Sequence, residues 1–368
     1  MNILMDIGHP AHVHFFNSIY RLLKDKHTFF FTCREIPIVI SLLDHYRIPY
    51  QVIGTKGNGL VGKMVKQIAF TKEIRRILID ESIDIACGVS TVHATKGTKA
   101  KSIVFCDDDS IVIKFFAKYV LPYADCVLSP SALSSEARKN TVYYPGQHEL
   151  SYLNPRRFHP NPSFMKSVGI EKEEPYFVVR FSAYKAHHDI NEGGMSIQQK
   201  RALVDALQKY GKVFISSELP LEDEFEENRL PIPVHDIHNF MYYAIMTVSD
   251  SQTMSSESAL LGTPSFRCNS FSGRLSIIDE LEKIYSLTHS FKTEQFDWMI
   301  RRIVIELELG NIKERYRTHL KLFHEDKIDV AAFWAWFIDN YPTSRIETKK
   351  GGFDYGAFQV PACDFTEG

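Results

Sequence analysis

The sequence has no run of about 18 consecutive apolar residues, the length that a membrane-spanning helix needs. Its six cysteines include no C-x-x-C pair and no spacing typical of zinc ligands. Several of them lie in apolar, strand-like runs, which favours buried, reduced thiols. The N-terminus has no basic segment followed by a cleavage site, because Asp6 interrupts the first apolar run. These absences predict a cytoplasmic protein without a transmembrane segment.

An excess of charge of one sign is also absent: 43 basic residues stand against 45 acidic ones, a formal net charge of −2. Proteins that bind nucleic acid usually present a strongly basic face, so we expect no nucleic-acid partner. Lys63, Lys66, Arg75 and Arg76 lie on one predicted helix. Peripheral association with a membrane is therefore left open, and a solvated helix face is the alternative.

Two domains are predicted from the alternation of short apolar runs with helical spacing. Residues 1–150 form the first predicted domain and 176–341 the second; both read as parallel strands covered by helices. Between them, 151–175 is predicted to be a linker, because five prolines fall between about 145 and 175 and periodicity is weak there. Residues 342–368 are predicted to be a polar, loosely ordered tail.

This organisation predicts the α/β class, with two Rossmann-like, doubly wound domains that face a cleft. Ligands of open parallel sheets bind beyond the carboxyl ends of the strands. Candidate functional residues are therefore those that directly follow predicted strands.

The stretch SDSQTMSSESALLGTPSFRCNS (249–270) is the most informative of these positions. A predicted strand ends at Asp250, a hydroxyl-rich loop follows, and a helix is predicted to begin near Met254. Hydroxyls and backbone N–H groups at a helix start suit a diphosphate, and Glu257 could accept hydrogen bonds from a ribose. Helix capping by the serines and a dipole preference for Glu257 are the alternative.

The loop DSQTMSSESALLGTP resembles the nucleotide-diphosphate site of glycosyltransferase-B enzymes and of the non-hydrolysing UDP-N-acetylglucosamine 2-epimerases. Together with DIGHPAHVHFF, VVRFSAYKAHH and ISSE, it is similar to an uncharacterised domain-of-unknown-function family of that fold. The resemblance implies a glycosyltransferase-B-like fold and a UDP-sugar substrate with no required cofactor.

The resemblance also implies a set of residues that bind the nucleotide sugar. These residues are Gly8, Arg180, Ser182, Lys185, Ser217, Glu218, His235, Asp250, Ser251, Thr253, Met254, Ser255, Glu257, Arg267 and Asn269. Within the set, Arg180 and Lys185 would meet the diphosphate. His235 would contact the base, and helix capping by Asp236 is the alternative interpretation of that loop.

Catalytic groups are expected in two histidine-rich loops. GHPAHVH follows the first strand, and a neutral imidazole of His9 or His12 there could take a proton from an acceptor hydroxyl. His187 and Asp189, in FSAYKAHHDINEGG, are candidates for orienting a sugar or assisting proton transfer. The alternatives are helix-start and core histidines in the first loop and a solvated polar loop in the second.

CDDDS (106–110) places Asp107 and Asp109 after a strand, a pattern that can hold a divalent metal. A lone carboxylate pair supplies too few ligands, so we expect no metal, and the acids could instead cap a helix starting near Ile111.

These expectations favour a glycosyltransferase that moves a sugar from a UDP-sugar to a glycan or lipid-linked acceptor. A nucleotide-sugar epimerase or hydrolase, and a non-catalytic nucleotide-sugar-binding protein, are the alternatives.

Overall fold

The computed structural model describes residues 1–54, 59–171, 174–181, 194–217, 220–270 and 272–366, with the side chains of 59–65 left aside. The chain forms two compact units. Unit 1 contains Met1–Tyr152 and Lys327–Gln359, and unit 2 contains Leu153–Asp326 and Val360–Gly368. No described helix has the combined length and apolar character that crossing a bilayer requires.

Twelve strands are present in the described part of the chain. They are β1 (Asn2–Ile7), β2 (Thr28–Cys33), β3 (Gln51–Val52), β4 (Ile85–Cys87), β5 (Lys101–Phe105), β6 (Cys126–Pro130), β7 (Thr141–Tyr144), β8 (Tyr176–Phe181), β9 (Lys212–Ser217), β10 (Met246–Ser249), β11 (Ser265–Cys268) and β12 (Thr288–Phe291).

Helices connect these strands, and several end the chain. They are α1 (Pro10–Leu23), α2 (Pro37–Tyr46), α3 (Gly59–Asp80), α4 (Thr91–Ala94), α5 (Lys114–Tyr119), α6 (Ser163–Ser167), α7 (Ile197–Gln208), α8 (Ile237–Tyr243), α9 (Gln252–Leu260), α10 (Ser276–Lys283), α11 (Phe296–Glu308), α12 (Ile312–Glu325), α13 (Val330–Asp339) and α14 (Thr343–Lys349).

Unit 1 is built on a seven-stranded sheet in the order β3-β2-β1-β4-β5-β6-β7. All its pairings are parallel. The inner strands are buried on both faces, which explains their nearly continuous apolar sequences. The chain leaves β1 in one direction toward β2 and later returns to its other side with β4. The carboxyl ends of β1 and β4 therefore form the switch point at which doubly wound sheets bind ligands.

Unit 2 is built on a second parallel sheet of five strands, in the order β12-β11-β10-β8-β9. Its first strand, β8, lies between β9 and β10, so the switch point falls at the carboxyl ends of β8 and β10. The predicted fold class, two Rossmann-like parallel sheets with helices, is confirmed.

The end of the chain departs from the predicted domain boundaries. Helix α13, which the sequence places in the second domain, packs against α1 in unit 1, where the Trp334 and Phe15 rings lie 5.0 Å apart. Asp339 at its end accepts hydrogen bonds from Lys26 at 2.9 Å and pairs with His27 at 2.8 Å. The apolar sequence of a helix does not show which sheet the helix packs against. A domain boundary placed at 341 therefore groups α13 with the elements that precede it in the chain.

The residues after Pro342 also differ from the predicted loose tail. They contain α14, and Phe358 is buried against Phe333 with ring centroids 5.6 Å apart. In unit 2, Phe365 packs edge-on against Phe158 at 5.5 Å. The aromatic residues of this segment therefore contribute to the cores of both units.

Candidate functional site

The first histidine loop begins α1 at the switch point of unit 1. Pro10 occupies the first turn of the helix, where its fixed φ suits the helical backbone. His9 is the N-cap, and its Nδ1 accepts a hydrogen bond from the N–H of Ala11 at 3.3 Å. His12 Nδ1 accepts from the N–H of Gly8 at 3.4 Å. Both rings thus help to form the helix start.

These hydrogen bonds determine which nitrogen of each of the two histidines is left available. A neutral imidazole that accepts at Nδ1 carries its proton on Nε2, so in this arrangement Nε2 is a hydrogen-bond donor, and the predicted role of His9 or His12 as a base stays a prediction. Burial, with the nearby His9 and His148, lowers the pKa of His12 to about 3. His12 is therefore neutral at physiological pH and presents an N–H group. His14 lies on α1, buried, with its Nδ1 2.8 Å from the Tyr46 hydroxyl.

A second imidazole in unit 1, that of His148, has a carboxylate beside its Nδ1 instead of a backbone N–H group. His148 lies in a 3-10 turn, His148–Ser151, and its Nδ1 is 2.8 Å from Oδ2 of Asp107, which follows β5. Glu149 Oε2 lies 3.5 Å from the same nitrogen. The carboxylate beside Nδ1 favours a proton on that nitrogen, which would leave the lone pair of a neutral ring on Nε2. A carboxylate beside one imidazole nitrogen is an arrangement found in enzymes that use the other nitrogen as a general base.

Asp107 and His148 interact electrostatically with His12 of the first histidine loop. Burial alone would raise the pKa of Asp107, but the charge of His148 and its hydrogen bond, with a contribution from His12, outweigh burial and lower it. The Phe105 ring packs against both imidazoles, with its centroid 4.8 Å from that of His12 and 6.1 Å from that of His148. His12, Asp107 and His148 therefore form one polar cluster at the carboxyl edge of the unit 1 sheet.

Asp107 is held by His148, and α5 begins at Lys114 with no side-chain cap, so neither Asp107 nor Asp109 caps that helix as the sequence analysis allowed. In the part of the chain that the structure describes, no three His, Cys, Asp or Glu side chains are grouped to hold a metal ion.

A buried ion pair fixes the edge beneath the cluster. Asp6 on β1 pairs with Arg34, which follows β2, and it also accepts from the Thr32 hydroxyl at 2.9 Å. Arg34 also donates a hydrogen bond to the Ser90 hydroxyl, which lies beyond β4. Gly88 has φ +121°, and a Cβ there would lie 2.5 Å from the Asp6 carbonyl oxygen, so only glycine fits. These contacts hold the ends of β1, β2 and β4 in place.

The hydroxyl-rich loop of unit 2 connects β10 with α9, which begins at Gln252, two residues before the predicted start. Ser251 is the N-cap and accepts from the N–H of Met254 at 3.5 Å. Ser249 accepts from the N–H of Ser251 at 2.8 Å, and Ser255 donates to the Ser251 carbonyl at 2.8 Å. The serines thus shape the loop, and the first turn, with Thr253, offers its backbone N–H groups.

Glu257 lies on α9 and is almost wholly buried. Its Oε1 is 3.1 Å from Nε2 of His238 on α8, whose side chain is equally buried. His238 is thus a partner that the sequence analysis missed, because only the packing of α8 against α9 brings the two residues together. His235, the predicted base contact, lies three residues earlier in a 3-10 turn, half-buried and 3.5 Å from Asp236.

Other predicted residues gather at the same edge of unit 2. Arg180, near the end of β8, donates to the Ser216 hydroxyl on β9 at 2.8 Å, and Ser217 ends β9. Asn269 donates to the Asp250 carbonyl at 2.8 Å, which joins the ends of β10 and β11. Arg267 is fully buried on β11 beside Ser249.

Five predicted residues cannot be placed. Ser182, Lys185, His187, Asp189 and Glu218 lie outside the described residues. Gly8 is at the end of β1 in unit 1, where no atom lies within 4 Å of a hypothetical Cβ.

The fold defines a class of protein: two doubly wound parallel sheets of the glycosyltransferase-B type, each with a polar cluster at its switch point. Residues 1–306 match the family model described as "Protein of unknown function (DUF354)", so the chain belongs to this family. A curated relative, an uncharacterized protein of Methanocaldococcus jannaschii, is 24% identical over 285 residues, which cover 73% of this chain and 82% of that protein.

Solved structures of similar fold include two groups of enzymes. The UDP-GlcNAc 2-epimerase of Methanocaldococcus jannaschii, solved with UDP-GlcNAc and UDP, has a TM-score of 0.61 at 11% identity, covering 86% of this chain and 98% of that one. The corresponding enzyme of Neisseria meningitidis has a TM-score of 0.64 at 11% identity, covering 86% and 94%. MurG of Acinetobacter baumannii has a TM-score of 0.56 at 11% identity, covering 92% and 99%. These similarities establish the fold.

Proposed function

We propose that the protein is an enzyme that binds a UDP-sugar at the carboxyl edge of the unit 2 sheet and transfers the sugar to an acceptor. The observation that carries this proposal is the position of Glu257. It lies on the helix that directly follows the switch-point strand β10, and its Oε1 is 3.1 Å from Nε2 of His238. A fixed carboxylate there can accept hydrogen bonds from a ribose diol, while the start of α9 meets the diphosphate.

The second part of the proposal concerns unit 1. His148 Nε2 would take the proton of an acceptor hydroxyl as the hydroxyl oxygen attacks the anomeric carbon. The bond from that carbon to the diphosphate breaks, and UDP leaves with the electron pair. Asp107 would hold the imidazole in the required tautomer and stabilise its cation. The Nε2–H groups of His9 and His12 would donate hydrogen bonds to the acceptor.

The leaving diphosphate carries negative charge, and the groups near β8 and β10 suit it. Arg180 is held by Ser216 at 2.8 Å, and the first turn of α9 adds oriented N–H groups. Such groups stabilise charge as it develops, without a metal ion. The fold relatives support this choice of substrate, because one of them was solved with UDP-GlcNAc and UDP.

A nucleotide-sugar 2-epimerase is the second candidate, and the surroundings of His148 favour it. Two carboxylates, from Asp107 and Glu149, lie 2.8 and 3.5 Å from one imidazole nitrogen. Deprotonation of an acceptor hydroxyl needs one base. Epimerisation must remove a proton from carbon and return it to the opposite face, so it uses more than one acid–base group, and this cluster offers several.

Proton NMR of the anomeric region separates the two candidates. With UDP-GlcNAc alone, a transferase gives at most slow release of free sugar, and addition of an acceptor extract gives a new glycoside and UDP. Rapid isomerisation without an acceptor would support the epimerase and overturn the transferase. Binding with neither reaction would leave a nucleotide-sugar-binding protein.

A further inference from the structure

A patch of large apolar side chains is exposed on unit 1, in the segment that follows the Asp107 loop. This segment, Ile111–Tyr123, contains α5 and is called the 111–123 segment below. Its exposed side chains are Phe115 at 68%, Ile111 at 66%, Tyr123 at 53%, Tyr119 at 47% and Val112 at 45%. The Phe115 and Tyr119 rings lie 5.0 Å apart on the outward side.

The inward side of the same segment is also apolar. Ile113, Phe116, Ala117 and Val120 pack against a buried cluster of unit 1. A surface helix normally turns polar side chains outward, opposite its packed face. The core therefore accounts for the inward residues, but it gives no reason for Phe115 to be aromatic.

The charges within the segment are all positive. Lys114 and Lys118 are exposed, and the 111–123 segment contains no acidic residue. Lys118 lies over the Tyr119 ring at 5.2 Å, and within the described residues neither lysine forms an ion pair. Aromatic rings beside unpaired lysines have the composition of a surface that inserts among lipid headgroups, where phosphates meet the cations and the rings enter the acyl boundary.

We propose that the 111–123 segment docks unit 1 on the surface of an anionic lipid bilayer. The 111–123 segment begins four residues after Asp107, and Asp107 and His148 form a pair at the carboxyl edge of the unit 1 sheet. Docking would bring that edge to an acceptor anchored in the membrane. This consequence rests on the proposed transferase function and makes the acceptor lipid-linked, whereas the docking itself does not depend on it.

Cosedimentation of the full chain with vesicles tests the docking. Vesicles of phosphatidylcholine and phosphatidylglycerol in equal parts are compared with vesicles of phosphatidylcholine alone. We expect binding to the anionic vesicles only. A Phe115→Ser/Tyr119→Ser variant should lose at least about tenfold in partition. A Lys114→Gln/Lys118→Gln variant should lose about fivefold for each lysine.

Trp298 provides a matched control, because it is an aromatic residue of unit 2 with 63% exposure. Trp298→Ser should sediment with anionic vesicles as the unchanged chain does. Calorimetric titration with UDP is run on every variant, so that a failure of nucleotide binding is seen separately from a failure of docking.

Three results would overturn the docking proposal: no sedimentation with anionic vesicles, equal sedimentation with both kinds, or no loss in the Phe115→Ser/Tyr119→Ser variant. Concentration-dependent dimers that this variant abolishes, without vesicle binding, would assign the patch to a second copy of the chain instead.

Discussion

Asp107 Oδ2 and His148 Nδ1 lie 2.8 Å apart in unit 1, although one follows β5 and the other follows β7. The Asp107 carboxylate favours a proton on Nδ1 of His148, which would make Nε2 the basic nitrogen. We expect His148→Gln to reduce turnover by roughly 10²–10⁴, the usual effect of losing a general base. Asp107→Asn should also reduce turnover, because the amide no longer favours the imidazolium.

Turnover and the Kd of UDP are measured for both variants. The Kd should change little, since the proposed nucleotide site is in unit 2. Near-native turnover of His148→Gln, with circular dichroism showing a folded chain, would remove His148 from the mechanism.

His9 should behave differently, because its ring caps α1. We expect His9→Ala to lower the free energy of unfolding by about 1 kcal/mol, the typical cost of losing an N-cap. His9→Asn is the matched variant, since asparagine is a preferred cap and should restore most of the stability. Urea unfolding of the three proteins gives the comparison. Equal stability of His9→Ala and His9→Asn would show that the cap contributes nothing.

The stability of the protein should fall as the pH decreases below about 6.5. Burial lowers the pKa of His12 to about 3 and, as the largest cause, those of His289 and His324 to about 4. Between the folded pKa and the ordinary value near 6.5, the unfolded chain binds more protons, so the free energy of unfolding rises with pH. Each histidine contributes about 1.4 kcal/mol per pH unit within its window.

Urea unfolding at a series of pH values between about 4.5 and 7 measures this slope. His324→Phe keeps an aromatic ring in the core and should reduce the slope by about one proton. An unchanged slope in that variant would show that His324 titrates normally in the folded state.

Gly88 should not tolerate a side chain. Gly88→Ala places a Cβ where the Asp6 carbonyl lies at 2.5 Å, with φ in the left-handed region, and should destabilise the protein by about 2 kcal/mol or more. Gly8→Ala is the control, because no atom lies within 4 Å of its added carbon. Thermal unfolding of both variants should show a large decrease in Tm for Gly88→Ala alone; equal decreases would contradict the argument.

Much of the fold could be predicted from the sequence, because buried parallel strands such as NILMDI and YFVVRF are nearly continuous apolar runs. Helix α13 was assigned to the wrong unit since its partner, α1, lies at the other end of the chain. His148 was not among the predicted site residues, because it lies where the proline-rich stretch from about 145 to 175 begins, and that stretch resembles a domain boundary. The PGQHE sequence directly after the strand that ends at Tyr144 could have drawn attention to it.

The site was predicted less completely than the fold. Position after a strand made Glu257 and Arg180 candidates, but it could not predict their contacts with His238 and Ser216. Those contacts depend on the packing of one element against another. The direction in which His12 presents its proton likewise depends on a backbone N–H, that of Gly8, which no residue pattern encodes.

The central claim is that the carboxyl edge of unit 2 binds UDP through Glu257, and calorimetric titration tests it most directly. UDP, ADP and NAD are titrated into the unchanged chain and into Glu257→Gln, without added divalent metal. We expect UDP to bind the unchanged chain more tightly than the adenine nucleotides, and Glu257→Gln to weaken UDP binding by about 1–3 kcal/mol, the loss typical of hydrogen bonds to a charged group. Failure of UDP to bind at millimolar concentration while ADP or NAD binds, or an unchanged Kd in folded Glu257→Gln, would contradict the account.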